Sequence, residues 1–167
     1  MDAVKGRVHS MKKDIASMLS KIVGQPCTRR QIGRSKSLSL GFGDEANDNS
    51  PTKDKHYKVW EIGTYDSTWR IVKGAVVLLS NIDSDDLLEL NLELSTIKLG
   101  SFVSILQLTE LDVRVELDNG VAVDFLGTSK DDDEYFHVFC PEKSYIEFSR
   151  AGWKTGRSDE PWSSEAP

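Results

Sequence analysis

Leu111-Asp112-Val113-Arg114-Val115-Glu116-Leu117-Asp118-Asn119-Gly120-Val121-Ala122-Val123-Asp124-Phe125 alternates apolar and polar residues on both sides of Asn-Gly. That alternation is the period of a half-buried strand, and Asn-Gly is a turn signal, so the segment reads as a β-hairpin. Its register follows from burial. A two-residue turn pairs Asp118 with Val121 and Glu116 with Val123, which sets charge beside apolar on each face. A three-residue loop, Asp118-Asn119-Gly120, pairs Leu117 with Val121, Val115 with Val123 and Val113 with Phe125. Both apolar sets then share one face, so the longer loop is expected, with Gly120 left-handed in a bulge.

Outward from this hairpin the same logic finds more strands. Leu38, Leu40 and Phe42 alternate with Ser37, Ser39 and Gly41, giving a half-buried strand over residues 35–43. Further strands are expected at residues 57–62, 68–72 and 75–79, then at 135–140 and 144–149 with Pro141-Glu142-Lys143 as their turn. Residues 43–55 and 130–134 read as polar loops. Residues 83–94 are ambiguous: Ser84-Asp85-Asp86 is suited to capping a helix, whereas Leu88, Leu90, Leu92 and Leu94 alternate like a strand. A helical start with an extended end is expected there. Residues 2–23 read as an amphipathic helix, because Val4, Val8, Met11, Ile15, Met18 and Ile22 recur at spacings of four and three, and Gly24 and Pro26 then stop it. The stripe is expected to pack on the protein's own sheet; three heptads are marginal for a coiled coil, and the stripe holds two Met and no Leu at a or d positions.

The fold class expected is therefore α+β, mainly antiparallel β, with an N-terminal amphipathic helix packed on a β-sheet or sandwich. One domain is expected over residues 1–155, with a flexible tail at 156–167. The halves also share a pattern, over 24–80 and 100–153. Gly24 and Gly100 each precede a strand pair, Leu38-x-Leu40-x-Phe42 matches Val113-x-Val115-x-Leu117, Tyr57 to Trp60 aligns with Tyr135 to Val138, and Trp69 aligns with Tyr145. A duplication would give two similar β-units, each supplying one apolar face to a shared core.

The 167 residues carry 21 Lys/Arg and 27 Asp/Glu, a net charge of −6. Residues 1–43 hold nine of the cations and two Asp, so the acidity lies in the rest of the chain. An acidic body disfavours nucleic acid and favours basic partners. No apolar run approaches the ~20 residues of a bilayer span, and the start of the chain has no continuous apolar segment, so neither a membrane span nor a secretory leader is expected. Cys27 and Cys140 form no Cys-x-x-Cys pair and read as reduced thiols of a cytoplasmic protein.

No motif names a reaction. His9, His56 and His137 are scattered, and His137 and Cys140 fall on opposite faces of one strand, which is poor ligand geometry. A nucleophile elbow is absent, and Gly41-Phe42-Gly43 lacks the rest of a phosphate-binding fingerprint. Asp83-Ser84-Asp85-Asp86 hints at a calcium loop, but Leu88 stands where the glycine belongs. No catalytic residue, metal or cofactor is therefore expected. Trp60 and Trp69 read as core, Trp153 as cover for a sheet edge, and Trp162 as a possible anchor on a neighbouring surface.

Several segments together resemble small bacterial proteins of the immunity type found in polymorphic-toxin and contact-inhibition loci. They are Ser67-Thr68-Trp69-Arg70-Ile71, Leu99-Gly100, Leu111 to Gly120, Cys140-Pro141 and Gly152-Trp153, spread over roughly residues 15–155. The resemblance implies a cytoplasmic, non-enzymatic protein that binds and neutralises a cognate toxin; it transfers no site residues. Combined with the acidic body, it directs attention to Asp83, Asp85, Asp86, Asp131, Asp132, Asp133 and Glu134 as the partner-binding acids for a basic toxin. The alternative is a structural or regulatory β-domain that self-associates or binds a small ligand. A third reading is an enzyme of unfamiliar type, which a deep pocket of converging polar groups would favour. Monomer and homodimer both remain open.

Overall fold

The computed structural model describes residues 11–45, 58–65, 67–130 and 135–158. The elements run α1 (Lys13–Ser20), β1 (Cys27–Ile32), β2 (Leu38–Glu45), β3 (Lys58–Gly63), β4 (Thr68–Lys73) and β5 (Val76–Ser80). They continue with α2 (Leu87–Thr96), β6 (Phe102–Gln107), β7 (Asp112–Leu117), β8 (Val121–Leu126), β9 (Phe136–Cys140), β10 (Ser144–Ser149) and β11 (Gly152–Arg157). All strand pairings between them are antiparallel. One sheet has the order β1-β2-β3-β9-β10-β11, the other β5-β4-β8-β7-β6. The expected class, α+β and mainly antiparallel β, is the one found.

The hairpin takes the longer loop. Val115 faces Val123 and Val113 faces Phe125, Gly120 has φ 80, and its N–H donates to the Leu117 carbonyl at 3.3 Å. Val113, Val115, Leu117, Val121, Val123 and Phe125 are all buried. They share one apolar cluster with Leu38, Leu40, Phe42, Ile62, Phe136, Val138, Ile146 and Phe148 from the other sheet. Burial of that face stabilises the fold at roughly 25 cal/mol per Å² of apolar area removed from water.

Four expectations need correction. Residues 87–96 are helical throughout, so the extended end expected within 83–94 is absent. The Asp86 carboxylate accepts from the Leu88 N–H at 2.8 Å, and Leu90 and Leu94, four apart, point into the core; the helix period wins because its buried positions are spaced by four. The last strand runs to Arg157, two residues past the expected domain boundary, since β11 pairs with β10 along its whole length. Only the part of the tail beyond 158 lies outside the described residues. Residues 27–32 and 102–107, expected only as unspecified strand pairs after a glycine, form the edge strands β1 and β6. Finally, α1 ends at Ser20, with Ile15, Leu19 and Ile22 in the core; Val4 and Val8 of the expected stripe lie outside the described residues.

The two halves are topologically equivalent, though not as aligned above. Exchanging β1, β2, β3, β9 and β10 for β6, β7, β8, β4 and β5 turns one sheet order into the other. Each half therefore gives three strands to one sheet and a hairpin to the other, instead of one apolar face apiece, and β3 corresponds to β8, not to the strand at Tyr135. The equivalence extends to register, at an offset of 75. Cys27 faces Phe42 as Phe102 faces Leu117, with a bulge following each. The Cys27 N–H donates to Gly100 and the Phe102 N–H to Gln25; Gly43 donates to Pro26 and Asp118 to Ser101. Pro26 and Ser101, which are equivalents, bridge each other. An element that pairs with its own counterpart marks a local twofold relation.

Candidate functional site: a hollow on the outer face of the six-stranded sheet

The face of β1, β2, β3 and β9 turned away from the core carries two transverse rows of side chains. One is Gln31, Ser39, Gly63, His137; the other is Arg29, Gly41, Glu61, Phe139. Each row has a glycine near its middle. Beside these rows lies a hollow of about 1190 Å³, bordered also by Arg34, Lys58, Tyr65 and the Pro141–Lys143 turn.

Gly41 explains the charge chemistry of the floor. Arg29 and Glu61 stand on the two strands flanking β2, too far apart to meet over an ordinary side chain. With hydrogen at position 41 they arch over it and pair at 3.0 Å. A Cβ there would lie 2.9 Å from both the Arg29 Cβ and the Glu61 carboxylate, and 2.7 Å from Lys58 Cγ. The Glu61 carboxylate also accepts from the Lys58 N–H at 2.7 Å and the Ser39 hydroxyl at 3.2 Å. Arg29 further donates to Ser39 at 2.9 Å and to Gln31 at 2.7 Å. Glu61 is buried with its partners in place, so the network is fixed before anything binds.

Aromatic rings cover the rest. His137 stacks between Tyr65 and Phe139, with both ring centroids at 4.7 Å. Tyr65 follows β3 by two residues, packs on His137 and keeps 53% of its surface exposed.

The hairpin turns β1–β2 and β9–β10 border the hollow. Each holds two consecutive non-glycine residues at positive φ: Ser35 (58) and Lys36 (57), Glu142 (63) and Lys143 (58). This is the left-handed geometry that Asn-Gly adopts without strain and that these residues adopt at a cost. In both, the following serine hydroxyl donates back to the carbonyl three residues earlier at 3.1 Å. Replacing Glu142-Lys143 by Asn-Gly is expected to raise the unfolding free energy by about 1–2 kcal/mol, measured by urea denaturation.

The opposite sheet carries a charged side chain at the matching position. At the position equivalent to Gly63 stands Asp124, fully buried. Arg114 and Arg70, from the strands on either side, close over it at 2.6 and 2.8 Å. Burial pushes the Asp124 carboxyl up, but hydrogen bonds from Arg114 and then Arg70 outweigh it and hold the group below the ordinary carboxylate range.

The acids singled out from sequence lie elsewhere. Asp83, Asp85 and Asp86 share the exposed β5–α2 connection. Asp83 accepts from the Ser80 N–H at 2.7 Å and closes the turn. Asp85 pairs with Lys36 at 2.5 Å, and hydrogen bonding to that ammonium lowers its pKa. Asp86 caps α2. Asp131, Asp132, Asp133 and Glu134 lie outside the described residues, as do His9, His56 and Trp162. Trp153, expected to cover an edge, is itself in the edge strand β11 and buried.

Both thiols are held inert. Burial pushes Cys27 and Cys140 up to about 11, against partial relief from Arg30 for the first and Ser144 for the second. Thiolate is the reactive form, so native protein at pH 8 should resist iodoacetamide, while denatured protein should take up two labels by mass spectrometry. Among the described residues no group of His, Cys, Asp or Glu is placed to hold a metal ion, and no helix is long and apolar enough to cross a membrane.

The residues of the hollow were not singled out from sequence. The available signal was the small polar face Ser39, Gly41, Gly63, since glycine at outward positions inside strands marks a close approach by other groups. No family model, curated relative or solved structure matches the chain.

Proposed function

We propose that this chain is a non-enzymatic binding protein whose recognition surface is the hollow on the six-stranded sheet. The observation that carries this is Tyr65: a half-exposed ring stacked on His137 and set beside an arginine-bearing rim. Tyrosine and arginine contribute most to binding at protein interfaces. A ring already positioned by stacking loses little freedom when a partner covers it. The Arg29–Glu61–Ser39 network beneath keeps the floor rigid.

The partner favoured here is a protein, the cognate toxin that the immunity-type resemblance implies, met in the cytoplasm. Arg29, Arg34, Lys58 and Lys143 line the hollow with Glu61 and Glu142, which suits a polar or acidic segment of that partner. A second version of the same reading uses the acids of the β5–α2 connection against a basic toxin. Asp83, Asp85 and Asp86 are exposed together there, which favours it, although each also has an intramolecular role.

The test is co-expression with the product of the neighbouring gene, then measurement of association kinetics for each surface. Asn at Asp83, Asp85 and Asp86 should slow association and flatten its salt dependence if the acidic version holds. Unchanged kinetics would discard it and leave the hollow.

A further inference from the structure

We propose that the free edge of β5 is a self-association surface, and that its occupant is β5 of a second copy of this chain, paired antiparallel across a twofold axis. The inference does not rest on the hollow; it rests on the internal equivalence of the two sheets. β5 holds the place in its sheet that β10 holds in the other. The outer edge of β10 is covered along its length by β11, antiparallel, from Ser144–Arg157 to Ser149–Gly152. Among the described residues, β5 pairs only with β4. One sheet thus has a sixth strand at the position where the other, among the described residues, ends at β5.

The exposed side of β5 suits a copy of itself. From Gly74 to Ile82 the chain carries no charge. Edge strands are ordinarily shielded by Lys, Pro or inward charge, and none of these occurs in Val76-Val77-Leu78-Leu79-Ser80. A bulge places an extra residue, Leu78, between the pairs Val72–Val77 and Ile71–Leu79. Bulges commonly protect an edge, but this one turns apolar groups outward. Val76, Val77 and Leu78 are consecutive and exposed by 60%, 51% and 38%, where a regular strand would hide alternate residues. An uncharged strand offers nothing to a charged partner. Antiparallel self-pairing centred on Val77 sets Val76 against Leu78, closes with twofold symmetry and uses up the β5 edge of both copies. It joins the two five-stranded sheets into one.

Sedimentation velocity on the full chain over about a hundredfold range of concentration tests this, with Val77→Lys beside the wild type. The wild type should show a monomer–dimer equilibrium. Val77→Lys places two ammonium groups at the axis and should raise the dissociation constant by about a hundredfold or more, with far-UV circular dichroism unchanged. Should the lysine variant fail to fold, Val77→Cys replaces it: oxidation should yield a disulfide-linked dimer through residue 77, identified by peptide mapping. A wild type that stays monomeric, a dimer that survives in the folded Val77→Lys, or a folded Val77→Cys that does not cross-link would overturn the proposal. So would a different protein held at this edge and released by Val77→Lys.

Discussion

Trp69→Ala is expected to lower the unfolding free energy by about 3–5 kcal/mol, the range for removing a fully buried aromatic ring. Trp69 sits on β4 and is completely buried. Its indole N–H donates to the Lys36 carbonyl at 2.7 Å, and Lys36 lies in the β1–β2 turn of the other sheet. The residue therefore fills the core and also ties the sheets together. Trp153 does the same at the far edge, from β11 to Gln107 at the end of β6, at 3.2 Å. Trp69→Phe separates the two contributions. It keeps most of the apolar volume and should cost less, about 1–3 kcal/mol, from the lost hydrogen bond and the unfilled part of the site. Urea denaturation of the three proteins measures both; a Trp69→Ala cost under about 1 kcal/mol would show that the sheets are not held together through this ring.

Asp124→Asn should cost about 2–3 kcal/mol at neutral pH. Removing one partner of a buried ion pair generally costs ~3–5 kcal/mol. Here Arg70 and Arg114 are 42% and 29% exposed, so water partly replaces the lost charge and the value falls below that range. The amide keeps the shape but turns an NH2 donor toward guanidinium donors. The pH dependence has a fixed sign. The folded Asp124 carboxyl lies below its ordinary 3.8, so its contribution is complete above that value and disappears as pH falls through the lower folded one. The gap between wild type and Asp124→Asn should therefore be widest at neutral pH and close in strong acid. A gap that persists unchanged through acid would mean that ion pairing is not its cause.

Much of the fold was legible where one face of a strand is buried and the other is not. The register of the 111–125 hairpin followed from keeping Val113, Val115 and Leu117 on the face of Val121, Val123 and Phe125, and a slip by one residue would have exposed all six. The helix at 87–96 was only half legible. Leu88, Leu90, Leu92 and Leu94 fit a strand period equally well, and only Leu90 and Leu94 are buried. The strand β1, Cys-Thr-Arg-Arg-Gln-Ile, was harder to see, since an edge strand beside a polar hollow has no apolar alternation. Arg30 there donates to the Leu94 and Ile97 carbonyls at the end of α2, and the Asn91 amide serves both the N–H and the carbonyl of Ile32. Such pairings join residues about sixty positions apart and leave no local pattern.

The hollow was hidden for a related reason. It is bordered by Arg29, Glu61, His137 and Tyr65, which become neighbours only once β1, β2, β3 and β9 pair in one sheet. Charge counting pointed to the acidic connections instead, because runs such as Asp131 to Glu134 are visible locally. The Asp83 to Asp86 segment shows how such a cluster is used up by the fold: one carboxylate closes a turn, one pairs with Lys36 and one caps a helix.

The most direct measurement of the recognition surface is the dissociation constant of the partner complex, by titration calorimetry, for wild type and Tyr65→Ala. Tyr65 is half exposed and outside the core, so the variant should fold with nearly unchanged stability and bind about ten- to a hundredfold more weakly. Equal affinity in the two proteins would contradict the assignment of the hollow as the binding site.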